Sequence, residues 1–440
     1  MKQLFKQLII DFHRQSIPIP TPRELELPRL PPNVRKAMVF IGMRRSGKTW
    51  SMYQQMQNLM RDGLPQTNLL YINFEDDRLE DIRVSDLHSI LDAYFELYPE
   101  NVDSKDLHFF FDEIHEVSGW EKFIRRLLDS EQMHIYLSGS SAKMLSKEIA
   151  TSLRGRTITR EIFPYNFHEY LIHQQRTYHK NPSSKEKAIL LALVQEFIRN
   201  GGFPETIGVP PPLHRELLQG YIDTVIYRDI IDRYQVTNSA VLKRFLTHCL
   251  QNSSALLSIN KLYQSLKSLG YSVSKNSLYE YMNYFEDAYC IFPLNVYHPS
   301  QRKSSQKPKK IYPVDQGLIT AYGWHQEFRH GARLEATVFS KLRRCCDQLY
   351  YYETSDGREI DFLTITATSK IEIIQVTLSL KNGETAEREI TALRKAMLEL
   401  GLKRGTIVTF DEEAVLEYPE GHIECIPSWK FLMTDAGEFK

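Results

Sequence analysis

A chain of 440 residues is longer than one hydrophobic core sustains and reads as several domains. Its 42% hydrophobic and 25% charged residues exclude a disordered chain, and 55 basic against 55 acidic side chains exclude a global field drawing it to nucleic acid or anionic lipid. The five cysteines (Cys249, Cys290, Cys345, Cys346, Cys425) form no C-x-x-C pair, which excludes a zinc-finger framework, and no apolar run of ~18 residues offers a membrane span.

The start, MKQLFKQLIIDFHRQ, carries an apolar cluster too short and interrupted for a signal peptide, so the cytoplasm is the expected compartment and no membrane partner is expected. Pro18, Pro20, Pro22, Pro28, Pro31 and Pro32 fix φ and remove backbone donors, and residues 1–35 are expected to be an extended leader. KAMVFI (36–41) then predicts a strand ending at a glycine, and SMYQQMQNLMRDG (51–63) has helical spacing with a glycine stop. LLYINF (69–74), LHFFFDEI (107–114) and MHIYLSGS (133–140) are further apolar strands separated by helix-like segments, as a buried parallel sheet requires. The expected fold class is therefore α/β, with a phosphate-loop domain over residues 36–172.

Residues 173–250 read as a helical lid and linker, interrupted by the turn GGFPE (201–205). Over 251–300, helix-like pieces (INKLYQSLKSLG, SKNSLYEYMNYFEDA) lead into the strand IFPLNVY, the order of a winged helix-turn-helix. Tyr279, Tyr281 and Tyr284 there read more easily as core or interface than as base-stacking platforms. HPSQRKSSQKPKK (298–310) has no apolar period and five basic side chains, Arg302, Lys303, Lys307, Lys309 and Lys310, and is expected to be an exposed loop. Residues 325–440 return to α/β: helix 333–346, strands near 349–353, 359–366 and 371–377, helix 384–400 and strand 405–410.

Gly42-Met-Arg-Arg-Ser-Gly47-Lys48-Thr49 fits G-x-x-x-x-G-K-[ST] between a predicted strand and a predicted helix. The glycines let backbone N–H groups close around phosphates, Lys48 reaches the β and γ oxygens, Ser46 and Gly47 complete the cradle, and Thr49 ligates Mg²⁺. Arg44 and Arg45 lie in the same loop and cover it without a catalytic step assigned. Downstream, the apolar strand ending in Asp112-Glu113 supplies an acid to position the metal, Asp112, and a general base to polarise the attacking water, Glu113. ATP and Mg²⁺ are the expected cofactors, with hydrolysis of ATP the expected reaction.

Ser138, at the end of the next strand, is either a sensor beside the γ-phosphate or part of a strand-ending turn. Arg154 and Arg156 stand where a guanidinium could stabilise the transferring phosphoryl group, in cis or from a neighbouring subunit, and a structural salt bridge is the equal alternative. Glu75 and Asp76, in the acidic stretch after the second strand, rank below Asp112 and Glu113, and His115 is assigned no role.

With YINFEDDR (71–78), FFFDEIH, LSGSSA, EIFPYNFHEY (161–170), GGFPE and YRDIIDRY (227–234), followed in order by KIYPVDQGL (310–318), GARLEATVF (331–339), GREIDF (357–362), IIQVTLSL (373–380), TAEREITAL (385–393) and IPSWKFL (426–432), the chain resembles the prokaryotic AAA+ ATPases carrying the C-terminal domain of unknown function 4143. The resemblance implies an AAA+ core, a winged-helix middle and a C-terminal domain similar to restriction-endonuclease-like nucleases. In such nucleases acids hold a divalent metal that activates water. Glu335, Asp361 and Gln375 occupy the matching places here, with Gln375 for a glutamate and Thr377 for a lysine, so the site is expected to be a degenerate remnant. The expected function is an ATP-driven switch acting on a nucleic-acid or protein partner, with a homo-oligomer as a possible assembly. The alternatives are an ATP-gated metal-dependent nuclease and a nucleotide-binding regulatory scaffold.

Overall fold

A computed structural model describes the chain except residues 29, 32–33, 140–152, 154, 180, 324–329, 367, 382 and 435–440, and leaves out the side chains of 301, 303 and 306. It divides into two compact units, Met1–Phe163 with Asp287–Tyr289, and Pro164–Glu286 with Cys290–Lys440.

The N-terminal unit is built on five parallel strands, β1 (Ala37–Ile41), β2 (Leu69–Asn73), β3 (Leu107–Asp112), β4 (Met133–Gly139) and β5 (Thr157–Glu161), in the order β2-β3-β4-β1-β5. β1 and β3 are buried along their whole length, because a parallel sheet is covered on both faces and its strands read as continuous apolar runs. Phe110 stacks on Tyr136 of the neighbouring strand at 4.3 Å between ring centroids, one of the cross-strand pairs that fix register. Between β3 and β4 runs the helix Trp120–Ser130, whose buried Trp120, Phe123, Ile124, Leu127 and Leu128 follow the i, i+3, i+4, i+7 spacing of a core-facing stripe.

The first residues depart from the expected extended leader. Lys2–Arg14 is a helix, and it packs against β2 and the helix Ser89–Leu97. Phe5, Leu8 and Ile9 are buried in it. The spacing of Phe5, Leu8, Ile9 and Phe12 is itself helical, and the proline effect begins only beyond it, so the extended part of the leader starts after Arg14.

The C-terminal unit opens with the helices Phe167–His173, Ser184–Asn200, Pro211–Thr224 and Ser239–Gln251, the third running on through a π-helical stretch, Val225–Ile231. The helices Ile259–Ser268 and Lys275–Asp287 follow, together with an antiparallel sheet of β6 (Leu256–Leu257), β7 (Ile291–Leu294) and β8 (Lys309–Pro313) in the order β6-β8-β7. Tyr281 is buried, and Tyr284 stacks on Tyr234 at 3.8 Å, so both serve packing.

Residues 298–310 are not the exposed loop expected of them. They hold a short helix, Gln301–Gln306, and the first two residues of β8, where Lys310 is only 2% exposed. A lysine in a basic run reads as solvated unless its partners are known, and here they come from elements distant in sequence.

A mixed sheet closes the unit, with β9 (Gln348–Glu353), β10 (Glu359–Ile365), β11 (Ile371–Val376), β12 (Arg404–Thr409), β13 (Ala414–Tyr418) and β14 (Gly421–Pro427) in the order β13-β14-β12-β11-β10-β9. The helix Gly383–Leu400 packs on β10, β11 and β12. β13, β14 and the last helix, Ser428–Met433, lie beyond the elements expected from the sequence. Among the described residues no helix is long and apolar enough to cross a membrane.

Candidate nucleotide site

The glycine-rich loop leaves the C-terminal end of β1, where ligands of open parallel sheets gather, and ends on Gly47, the N-cap of the helix Lys48–Arg61. Gly42 has φ 152°, and a Cβ there would lie 2.2 Å from the Ile162 carbonyl oxygen, so only glycine lets the loop pass. Gly47 has φ 103° and Arg45 φ 67°. Lys48 is 5% exposed, with Nζ 3.4 Å and 3.3 Å from the carbonyl oxygens of Gly42 and Met43 and 3.7 Å from Oε1 of Glu113. Among the described residues the buried Ser46 hydroxyl has no hydrogen-bond partner. A closed cradle, a helix N-terminus, a buried ammonium and an unmatched donor together fit a polyphosphate.

Asp112, at the tip of β3, ties three elements together. Its Oδ2 accepts the Thr49 hydroxyl at 2.7 Å and the Tyr71 hydroxyl at 2.9 Å, and its Oδ1 accepts the Ser138 hydroxyl. Ser138 in turn accepts the Glu113 backbone N–H at 2.9 Å. Ser138 thus sets the position of both acids, a structural task that neither of its two expected roles described. Burial and the Asp112 carboxylate push the Tyr71 phenol far up, so Tyr71 acts here only as a donor.

Glu113 sits in the left-handed region, φ 50°, at the turn beyond β3. Burial pushes its carboxyl up to about 7, Lys48 opposing and Asp112 adding to the rise. The His115 ring lies 3.3 Å from its Oε2. Arg44 reaches across to Glu75 at 2.8 Å, whereas Asp76 pairs with Arg78 and caps a turn.

Arg156 lies at the other end of the sheet. Its carbonyl accepts the N–H of Ala37, the first residue of β1, at 2.9 Å, and its guanidinium pairs with Asp129. Within its own chain it thus forms the salt bridge, one of the two readings open to it. Arg154 and the serines at 140 and 141 lie outside the described residues.

Arg23 was not legible as a site residue. It stands in the proline-rich leader, and its guanidinium donates to the carbonyls of Ser46, 3.1 Å, and Phe163, 2.5 Å, while Gln54 bonds both its backbone N–H and C=O. A Cβ on Gly47 would lie 2.9 Å from it. The leader is therefore packed against the outside of the phosphate loop.

In the C-terminal unit Glu335, Asp361 and Gln375 do come together. Gln375 Oε1 accepts the Asp361 N–H at 3.2 Å, and Asp361 Oδ2 accepts the Val376 N–H at 2.9 Å. The space between the acids is taken by Lys310, whose Nζ lies 2.8 Å from Glu335, 2.7 Å from Glu359 and 2.9 Å from Asp361. Burial lowers this lysine, but Asp361, Tyr312, Glu335 and Glu359 outweigh it and hold the ammonium well above the usual value. Burial and Asp361 raise the Glu335 carboxyl to about 7. An ammonium supplied by β8 thus stands among the acids at the place where the resemblance implies a remnant metal site.

An AAA-domain family matches residues 34–171, and two domains of unknown function, 8612 and 4143, match residues 191–327 and 330–431. Uncharacterized protein MJ1544 of Methanocaldococcus jannaschii is 36% identical over 425 residues, covering 94% of this chain and 91% of that protein. The chain belongs to this family of AAA-domain proteins. An uncharacterized protein of Haemophilus influenzae is 29% identical over 340 residues, 77% of this chain and 81% of its own. Among solved structures, a Walker-type ATPase of Pyrococcus abyssi aligns with 73% of this chain and 95% of its own at TM-score 0.40 and 11% identity. The AAA domain of the family spans the glycine-rich loop and both acids of β3.

Proposed function

We propose that this AAA-domain protein hydrolyses ATP and uses the cycle as a switch on a nucleic-acid or protein partner. The observation that carries the reading is the tie of Thr49, Ser138 and Tyr71 to Asp112, with Glu113 beside Lys48. Loop N–H groups, the helix N-terminus and Lys48 hold the β and γ phosphates. Thr49 and Asp112 would hold Mg²⁺, which neutralises phosphate charge. Glu113, titrating near neutral pH, takes the proton of the attacking water.

The nuclease alternative is disfavoured by the Lys310 ammonium among the acids. The scaffold alternative predicts the same negligible phosphate release from the wild type and from Glu113→Gln. The switch predicts release by the wild type and its loss in that variant, with ATP binding retained. The partner class is tested by crosslinking and sequencing bound nucleic acid beside a protein pull-down. A second copy of the chain is a candidate source of a transition-state arginine, tested by restoring turnover on mixing an arginine-lacking with a Glu113-lacking variant.

A further inference from the structure

We propose that Asp106, His108 and His134 form a binding site for a zinc-type divalent cation at the N-terminal edge of the five-stranded sheet, at the opposite end of β3 and β4 from the nucleotide site. β3 and β4 are parallel neighbours, and His108 and His134 are register partners, so both imidazoles emerge on one face. Their rings stack at 4.5 Å between centroids, 18° apart. Asp106 immediately precedes β3 and places Oδ1 3.0 Å from Nε2 of His108. One ligand atom from each of the three lies within 4.8 Å of the others. Tetrahedral zinc with N and O ligands at ~2.0–2.1 Å needs ligand atoms only about 3.3 Å apart. The exposed side chains of Asp106 and His134 close that gap by rotamer adjustment, while His108 is buried and fixed.

Three further features suit this chemistry. The Tyr136 hydroxyl lies 3.2 Å from Nδ1 of His108, an outer contact of the kind that orients a ligating imidazole. The three residues line a groove of about 830 Å³ that gives access and room for water as the remaining ligand. Both imidazoles are neutral at pH 7, burial lowering His134 and taking His108, with His134 beside it, down to about 4. Two nitrogen donors and one carboxylate favour late first-row cations over Mg²⁺. Four residues of strand, ~13 Å, separate His108 from Asp112, so the cation does not compete with the nucleotide's own. Bound there, it would tie the starts of the two strands that carry Asp112 and Ser138 near their other ends.

The test is calorimetric titration of the metal-stripped full chain with ZnCl₂ in excess Mg²⁺, beside thermal unfolding. The expected result is one zinc per chain, a raised Tm, and unchanged zinc binding in Lys48→Ala. All five cysteines are buried and do not compete. Asp106→Asn and His134→Gln, both at exposed positions, are expected to remove the stoichiometric site, and Tyr136→Phe to weaken it about tenfold. No stoichiometric zinc on the wild type, or equal binding by folded Asp106→Asn and His134→Gln, overturns the proposal.

Discussion

The Lys310 ammonium lies 2.9 Å from the Asp361 carboxylate, on a strand far from it in sequence, and it also meets Glu335 and Glu359. A buried cation shared among carboxylates is held by its partners, and removing it leaves charges that burial penalises. Lys310→Met is expected to lower stability by about 3–5 kcal/mol, whereas the exposed pair Lys307–Glu353 contributes about 0–1 kcal/mol and Lys307→Met should be near neutral. Urea unfolding of the two variants decides; similar midpoints would show that the cluster does not stabilise the fold.

The same ammonium bears on cleavage. Incubation of plasmid with Mg²⁺ or Mn²⁺ is expected to leave the DNA intact for the wild type and for Asp361→Ala alike. Metal-dependent cutting lost in Asp361→Ala would restore the nuclease reading.

Glu113 sets a pH dependence. As the proposed base, Glu113 must be ionised, so kcat/KM for ATP is expected to rise with pH through about 7 and then level. Stability runs the other way. The folded carboxyl titrates near 7 and an unfolded one near 4.5, so between these values the folded chain binds the extra proton and stability falls as pH rises. Glu113→Gln is expected to remove that contribution along with the turnover. Tm measured from pH 4.5 to 7.5 in both proteins checks the sign, and identical slopes would contradict it.

Arg23 should matter for nucleotide affinity without entering the chemistry. Its guanidinium braces the Ser46 carbonyl from outside the phosphate loop. Hydrogen bonds to a charged group contribute about 1.5–3 kcal/mol, so Arg23→Ala is expected to weaken ATP binding by roughly tenfold or more, measured by calorimetry. An unchanged affinity would reduce the leader to a passive strap.

The parts of this protein that were legible in its sequence are those specified locally. A glycine-rich loop between an apolar strand and a helix, and an apolar strand ending in Asp112-Glu113, carry their geometry within a few residues. Gly202 and Asp315 show where that stops. Asp315 accepts the N–H groups of Gly202 at 2.7 Å and Gly317 at 2.8 Å, so GGFPE and PVDQGL interlock, although the sequence shows only two separate motifs. Arg23 and Lys310 were missed for the same reason, since each takes its role from partners many residues away. The helix Lys2–Arg14 differs: its apolar stripe is local, but it directly precedes a proline-rich stretch whose extended character does not reach back into it.

A cradle at residues 42–49 facing paired acids makes one measurement the most direct test: phosphate release and ATP binding by the full chain with Mg²⁺, beside Glu113→Gln and Lys48→Ala. Release by the wild type, binding without release in Glu113→Gln, and loss of binding in Lys48→Ala are the expected results. ATP binding that is absent from the wild type, or unchanged by Lys48→Ala, would contradict it.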